Sequence, residues 1–272
     1  MVGTLIKHEF LRTRRWLGVV FGIVTLVTLV GALTAWTGWP LISQLGVGLS
    51  FIGVGAFLMI VQVGLAWDYW RSSYSKTGYF TQSLPVKGAT IYWSKLLWGC
   101  AVTMAAIVWN LVLALVAYLG TAGSLGVADP LRQLRETLGL IFDVASPLTV
   151  LGIAVGIVIL FLGGLAQYYF AASIGSESRM NRLGIGGPVL VWLGLYMVMQ
   201  VLLFLGIIAV PVALGIGPDG GLAVVSMNFL EAMVHNQNAD AMPLGFVPVL
   251  PLVTAALIWR TVVSWNAKVS LA

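Results

Sequence analysis

The chain has 272 residues, of which 60% are hydrophobic and 8% are charged, and its net charge is +5. Soluble domains carry about 25% charged residues, so this composition, with a mean hydropathy of +1.00, excludes a soluble enzyme or binding domain and indicates an integral membrane protein. The basic residues flank apolar segments, where they report membrane topology and contact with anionic lipid, so we assign no nucleic-acid partner.

In chain order, the sequence predicts an all-α membrane protein with one interfacial helix and six membrane-spanning helices, together forming a single domain, 1–272. Residues 1–15 combine apolar and basic positions near helical spacing, which favours a helix on the membrane surface over a frayed basic tail. The six segments that follow are apolar over the roughly 20 residues that a bilayer requires. They are 16–36, 45–66, 96–119, 148–172, 188–214 and 246–265.

The only long polar interval in the first half of the chain is 67–95, between the second and third predicted spans. It contains one acid, Asp68, and four basic residues, Arg71, Lys76, Lys87 and Lys95. Short loops rich in Lys and Arg remain in the cytoplasm, so we expect this loop to be intracellular. Asp68 closes the second span, where it is either a solvated helix end or a contact with the loop or a partner subunit.

The same rule orients the whole chain. With both termini in the cytoplasm, all but two of the 14 Lys and Arg residues fall on the inner side, and the exceptions are Arg132 and Arg135. Six of the nine Asp and Glu residues fall on the outer side. We therefore expect a multi-pass protein of the cytoplasmic membrane with cytoplasmic N and C termini.

Two outer segments are predicted to be helical without crossing the membrane. Asp129 followed by Pro130 is typical of a helix start, and the apolar residues after it recur every three or four positions, which predicts a helix on the outer membrane surface. Between the fifth and sixth spans, Leu222–Met233 is apolar but too short to cross. We expect a re-entrant helix there.

Polar residues inside the spans are the candidates for a translocation path. Polar groups in hydrocarbon turn toward a helix contact or toward water, so each such residue is either a packing residue or part of the path. The apolar surroundings favour a hydrophobic substrate. The four residues are Gln62, Asn110, Gln167 and Gln200.

Two GxxxG pairs allow another helix to approach closely, and they predict that the chain pairs with a second copy or a related chain. The pairs are Gly18 with Gly22 and Gly152 with Gly156.

The sequence contains no constellation typical of catalysis. An intramembrane enzyme needs paired reactive groups or a cluster of metal ligands, whereas the two histidines, His8 and His235, fall on opposite sides of the predicted topology. There is no GxxxxGK[ST] phosphate loop, so we do not expect ATP hydrolysis by this chain alone. The single cysteine, Cys100, allows no intrachain disulfide. We expect no catalytic residue, no metal and no bound cofactor.

One part of the polar loop has a distinctive pattern. The run SLPVKGATIYWSKLL, from Ser83 to Leu97, resembles the intracellular signature of ABC transporter permeases of the type-2 exporter class, which lies between the second and third membrane helices. The basic amphipathic start, Leu5–Arg12, resembles the opening helix of the same class. The resemblance extends to the six-helix plan.

This resemblance implies a permease subunit of an ATP-driven exporter. Two separate ATPase subunits would hold ATP and Mg²⁺, a second permease copy or paralogue would complete the membrane core, and a membrane-dipping element would lie between the last two helices. A cytoplasmic coupling helix in the loop would dock on the ATPase. The residues assigned to coupling are Asp68, Ser83, Leu84, Pro85, Val86, Lys87, Ile91 and Lys95.

The expected cargo is a hydrophobic or amphipathic molecule, such as a peptide, a drug or antibiotic, or a lipid. Two other classes stay open. A non-transporting membrane scaffold or immunity protein would have the same composition, and an intramembrane enzyme is disfavoured because the reactive groups are missing. Co-purification with an ATPase distinguishes the exporter from both.

Overall fold

The computed structural model describes residues 2–75, 78–83, 85–177, 180–217, 220–234 and 241–267. Within these ranges, six helices are long and apolar enough to cross a membrane. Proline occurs only in their first turns, where its missing N–H group costs nothing. The α-helices of the described ranges are α1 (Val2–Trp36), α2 (Pro40–Ser73), α3 (Gly78–Gln82), α4 (Gly88–Thr121), α5 (Pro130–Val144), α6 (Pro147–Ile174), α7 (Gly186–Ala209), α8 (Phe229–Val234) and α9 (Val249–Ala267).

The chain divides into two compact units, Met1–Thr137 and Leu138–Ala272. The long helices are α1, α2 and α4 in the first unit and α6, α7 and α9 in the second. The prediction of six long apolar helices is confirmed. The single domain and the cytoplasmic position of both termini stay predictions.

In the first unit, α1 packs against both α2 and α4, and Phe57 and Leu65 of α2 are almost fully buried between them. Where α1 ends and α2 begins, the two backbones touch. A Cβ atom added to Gly46 would lie 2.4 Å from the backbone nitrogen of Ala35, and the Ser43 hydroxyl donates a hydrogen bond to the Ala35 carbonyl oxygen at 2.9 Å. Glycine is therefore required for this close approach.

The N-terminal segment differs from the prediction of two separate elements. The structure has one continuous helix from Val2 to Trp36 in place of an interfacial helix at 1–15 and a span at 16–36. No glycine or proline interrupts the helix at the predicted boundary between Arg15 and Trp16. Thr13 and Leu17, on either side of this boundary, are both buried. Because these two residues are four positions apart, packing continues along one face of the helix past the predicted boundary.

Other helix ends also differ from the prediction, and the positions of proline residues explain two of these differences. Helix α2 begins at Pro40 and not at Leu45, because proline is favourable at the first helical position. Helix α7 ends at Ala209 and not at Leu214, because Pro211 cannot continue the helix. Helix α4 begins at Gly88, so the second part of the polar loop is the first two turns of a membrane-length helix.

The segment between α7 and α9 contains a β-sheet, so a continuous re-entrant helix at Leu222–Met233 is not observed. Leu222–Ser226 is a strand, and only residues 229–233 of the predicted range are helical, within α8. The three antiparallel strands have the order β2-β1-β3, with Leu214 opposite Val224. Gly220, with φ of 76°, lies between the first two strands and supplies the left-handed conformation that their turn needs. The strands are β1 (Val212–Ile216), β2 (Leu222–Ser226) and β3 (Met242–Pro243).

The helix predicted after Asp129 is present as α5, and its place on the outer membrane surface stays a prediction. It begins at Pro130, and the Asp129 side chain accepts a hydrogen bond from the Arg132 backbone nitrogen at 3.1 Å, which is the expected cap. After α5, Ala145 forms a β-bridge with Leu222. The sheet and the start of α6 therefore lie at the same end of the second unit.

The two GxxxG pairs are open in the described structure. A Cβ atom added to any of their four glycines would meet no atom within 4 Å. The described helices of this chain do not use these faces, and their pairing with a second chain stays a prediction.

Candidate functional site

Four charged side chains and one serine from three helices meet inside the first unit, at the end where the loop between α2 and α4 emerges. We term this group the ionic cluster; its members are Glu9, Arg12, Asp68, Ser72 and Lys95. Glu9 and Arg12 are three positions apart on α1, and Asp68 and Ser72 are four apart on α2, so each pair shares one helix face. Lys95 lies two turns into α4.

Lys95 is the most buried member of the ionic cluster, with 2% of its side chain exposed. Its Nζ lies 2.9 Å from Glu9 Oε1 and donates a hydrogen bond to Ser72 Oγ at 2.8 Å. A buried ammonium group without partners is strongly destabilising, so Glu9 and Ser72 make this position tolerable. One side chain thereby connects α4 to both α1 and α2.

Arg12 extends the ionic cluster toward Asp68. Its Nη2 lies 2.6 Å from Asp68 Oδ2, and its Nε lies 3.3 Å from Asp68 Oδ1, so the guanidinium group binds both carboxylate oxygens. On its other side, Arg12 Nη1 donates to Glu9 Oε1 at 3.1 Å, and Nη2 also pairs with Glu9 Oε2. The formal charges of two acids and two bases cancel, so the ionic cluster places no net charge in the bundle.

Buried aromatic residues lie close to the ionic cluster in the chain. Tyr69 and Tyr92 are almost fully buried beside it in the chain. Trp98, one turn after Lys95, donates a hydrogen bond from its Nε1 to Thr13 Oγ1 at 3.0 Å. The low exposure of Lys95 and Glu9 strengthens the interaction between them, because charges interact more strongly where water is excluded.

The loop between α2 and α4 is hydrogen-bonded to the same region. Short helix α3 follows α2, and Thr81 Oγ1 donates to the Ser72 carbonyl oxygen at 2.8 Å, while Gln82 Nε2 donates to the Ser73 carbonyl oxygen at 2.7 Å. Ser72 thus accepts from the loop with its carbonyl group and from Lys95 with its hydroxyl group. A displacement of α3 acts directly on a member of the ionic cluster.

The structure divides the predicted coupling residues into two groups. Ser83, Pro85 and Lys87 are exposed, and Val86 is half-buried, so these four are available to a partner. Leu84 lies outside the described residues.

The second group is buried. Ile91 and Lys95 lie on the inner face of α4, and Asp68 is bound to Arg12. Neither Ile91 nor Lys95 offers docking surface in this structure, because α4 begins earlier than predicted and turns both side chains into the bundle.

The predicted path residues differ in burial. In the first unit, Gln62 is buried on α2 and Asn110 is half-buried on α4; the Asn110 Oδ1 atom has no hydrogen-bond partner among the described residues. In the second unit, Gln167 is half-buried on α6 and Gln200 is exposed on α7. A path lined by all four residues stays a prediction.

The second unit contains a smaller polar group. Glu177, just after α6, accepts hydrogen bonds at one oxygen, Oε1, from Arg260 Nη2 at 2.8 Å and from Ser264 Oγ at 2.9 Å. Arg260 and Ser264 are four positions apart on α9, so they share one face. This contact fastens the segment after α6 to α9.

The described part of the chain contains no set of side chains that could serve as ligands for a metal ion. No three His, Cys, Asp or Glu residues within it are grouped closely enough to hold a metal ion. The acids of the ionic cluster are already bound by Arg12 and Lys95.

Comparisons of the chain with models of protein families, with curated proteins and with solved structures found no match. A functional assignment therefore depends on the residues themselves.

Several of the residues that define this site were not among the predicted site residues. Glu9, Arg12 and Ser72 complete the ionic cluster, and Tyr79 and Phe80 of α3 are exposed aromatic side chains on the loop. The sequence carries only a weak signal of the ionic cluster. Lys95 is followed directly by three apolar residues, but basic residues also occur next to apolar runs at ordinary membrane boundaries, where they need no buried acid.

Proposed function

We propose that this chain is the membrane-spanning permease subunit of an ATP-driven exporter, and that the loop between α2 and α4 is the docking site for a separate ATPase subunit. The observation that carries the proposal is the position of Ser72. It accepts hydrogen bonds from Thr81 of the loop and from Lys95 of the ionic cluster, so a force on the loop reaches three membrane-length helices together.

The exposed part of the loop has the chemistry of a docking surface. Tyr79 and Phe80 are exposed on consecutive positions of α3, and large exposed aromatic residues are typical anchors of protein interfaces. Lys87 adds an exposed positive charge at the end of the loop, which helps to orient an acidic partner. Pro85 and Val86, close by in the chain, add further accessible apolar surface to the loop.

The remaining features of the proposal follow from the resemblance of Ser83–Leu97 to the exporter class. The loop and both termini face the cytoplasm, and the complete exporter contains two ATPase subunits and a second permease chain. ATP and Mg²⁺ belong to the ATPase subunits. The cargo is hydrophobic or amphipathic, since the six long helices carry few charged residues in their apolar parts.

Phe80→Asp is expected to remove the ATPase from the complex. Phe80 is 75% exposed, so the change leaves the bundle intact but puts an unpaired charge into an apolar contact. We expect ATP hydrolysis that co-purifies with the chain to fall by about 10-fold or more, corresponding to about 1.4 kcal/mol or more of lost binding free energy. The measurement is ATPase activity per mole of purified permease chain, with thermal stability measured in parallel.

Val234→Asp is the matched control. Val234, in α8, is 76% exposed and lies in a segment assigned to the opposite membrane face. This variant should keep the full ATPase activity. Unchanged activity in Phe80→Asp would reject the loop as the docking site. A parent chain that purifies from its native membrane without any ATP hydrolysis would favour the scaffold or immunity protein.

A further inference from the structure

Helix α5 presents an apolar stripe that no part of the described structure covers. None of its residues is buried, and Leu131, Leu138, Ile141 and Phe142 are each at least 44% exposed. Their spacing of seven, three and one positions places them on one side of the helix. An uncovered stripe of this kind needs either an apolar partner or a membrane.

The side of α5 away from this stripe is mainly charged, with one exposed apolar residue, Leu140. Arg132 Nε and Glu136 Oε1 form an ion pair at 2.8 Å on this side, and Asp143 follows two turns later. Arg135 differs from Arg132 because it lies four positions after Leu131 and three before Leu138, at the border of the apolar stripe. Arg135 forms no ion pair with any residue that the structure describes.

The chain holds α5 at the end of two membrane-length helices. The Tyr118 hydroxyl, in the last turn of α4, donates a hydrogen bond to the Pro130 carbonyl oxygen at 3.1 Å. Only Ala145 and Ser146 separate α5 from α6, and Ser146 Oγ caps α6 by accepting from the Thr149 nitrogen at 3.2 Å. Two residues span about 7 Å, so the C-terminal end of α5 stays at the edge of a bilayer that α6 crosses, and the Tyr118 contact ties its N-terminal end to α4.

We propose that α5 is a lipid-binding helix that lies in the headgroup region, with its apolar stripe at the acyl boundary and Arg135 bound to the phosphate of an anionic phospholipid. An arginine guanidinium group matches a phosphate in charge and geometry. Its aliphatic stem can lie along Leu131 and Leu138 while the charge reaches the headgroups. The proposal accounts for an unpaired arginine on the outer side of the predicted topology, and it does not depend on the permease function.

Fluorescence quenching in the full-length protein tests where the stripe lies. In a Cys100→Ala background, single cysteines replace Leu138 on the stripe or Asp143 on the charged side, and each is labelled with an environment-sensitive fluorophore after reconstitution into phosphatidylcholine and phosphatidylglycerol vesicles. Lipids with a spin label near the glycerol should quench the label at 138 several-fold more than the label at 143, whereas iodide in the buffer should quench the label at 143 more. Equal quenching at both positions would overturn the proposal. Protection of position 138 from lipid and iodide alike would also overturn it, since a second copy or another protein would then cover the stripe.

Changing the vesicle composition tests the headgroup. In the chain labelled at position 138, lipid quenching should increase when phosphatidylglycerol is added to phosphatidylcholine vesicles. Arg135→Gln should remove most of this increase, and Arg132→Gln should keep most of it because Arg132 is paired with Glu136. An increase that persists in Arg135→Gln, or its absence in the parent protein, would reject the assignment of Arg135 to an anionic headgroup.

Discussion

Glu9→Gln is expected to lower the free energy of unfolding by about 3–5 kcal/mol, the cost of breaking a buried ion pair from one side. The amide cannot neutralise Lys95, whose side chain is 2% exposed. The remaining hydrogen-bond partners of Nζ would both be neutral, namely the amide oxygen at position 9 and the Ser72 hydroxyl. Asp68 stays bound to Arg12, so one positive charge of the ionic cluster is left uncompensated.

Unfolding in mild detergent, followed by heat or by titration with a denaturing detergent, measures this loss. Glu136→Gln is the matched control, because Glu136 also pairs with an arginine but on the exposed surface of α5, where a pair contributes about 0–1 kcal/mol. Equal stability of the two variants would show that the Glu9–Lys95 pair contributes no more than a surface pair.

The double variant Glu9→Gln/Lys95→Met separates the free-energy cost of an unpaired buried charge from the stability that the ion pair itself contributes. Methionine keeps the length of the lysine stem without its charge, and replacement of a buried pair by uncharged groups is often close to neutral. We expect the double variant to be more stable than Glu9→Gln alone. Additive losses from the two substitutions would contradict direct pairing.

Gly46→Ala is expected to destabilise the first unit by about 1–3 kcal/mol, the usual cost of forcing an extra methyl group into a packed interior. The added carbon would lie 2.4 Å from Ala35 N and 2.7 Å from Gly31 O. Both of these atoms belong to the backbone of α1, which cannot move as a side chain can. The two helices must therefore separate where α1 ends and α2 begins.

Gly48→Ala is the control for Gly46→Ala, because a Cβ atom added at Gly48 would meet no atom within 4 Å. Alanine favours a helix more than glycine does, so this variant should be as stable as the parent chain or slightly more stable. The same unfolding measurement serves both variants. If Gly46→Ala and Gly48→Ala behave alike, the contact between α1 and α2 is not limiting for stability.

The long helices could be predicted from sequence because a continuous apolar run of this length has few alternatives. The segment after α7 could not be predicted so well, because Leu222–Ser226 is a short apolar run that suits a strand and a helix equally. Val224 and Val225 and the glycines at 220 and 221 were the signals for a hairpin. The predicted end of α7 crossed Pro211, a residue that stops a helix.

The ionic cluster could be predicted only in part. Asp68 and Lys95 were among the residues assigned to coupling, but Glu9 was not, and it is 86 positions away from Lys95 in the chain. Their pairing depends on the register of α1 against α4, which helix patterns do not specify. The exposed aromatic residues of α3 were missed because the resemblance of the Ser83–Leu97 run led us to assign the docking surface to apolar residues such as Ile91. The burial of Ile91 could be recognised only once the start of α4 at Gly88 was known.

The lengths of α1, α2 and α4 have a mechanical consequence. Each has 34 or 35 residues and so extends about 50 Å, against a hydrocarbon thickness of about 30 Å. The ionic cluster joins the three rods at one end. At the other end, Gly46 meets the backbone of α1, and a Cβ atom on Gly120 of α4 would lie 2.8 Å from Ala32 Cα. Because the three helices are in contact at both ends, we expect them to move as one rigid group. If the loop is the docking site proposed above, a push on the loop would tilt all three helices together, and the far end of the group would move without any helix having to unwind.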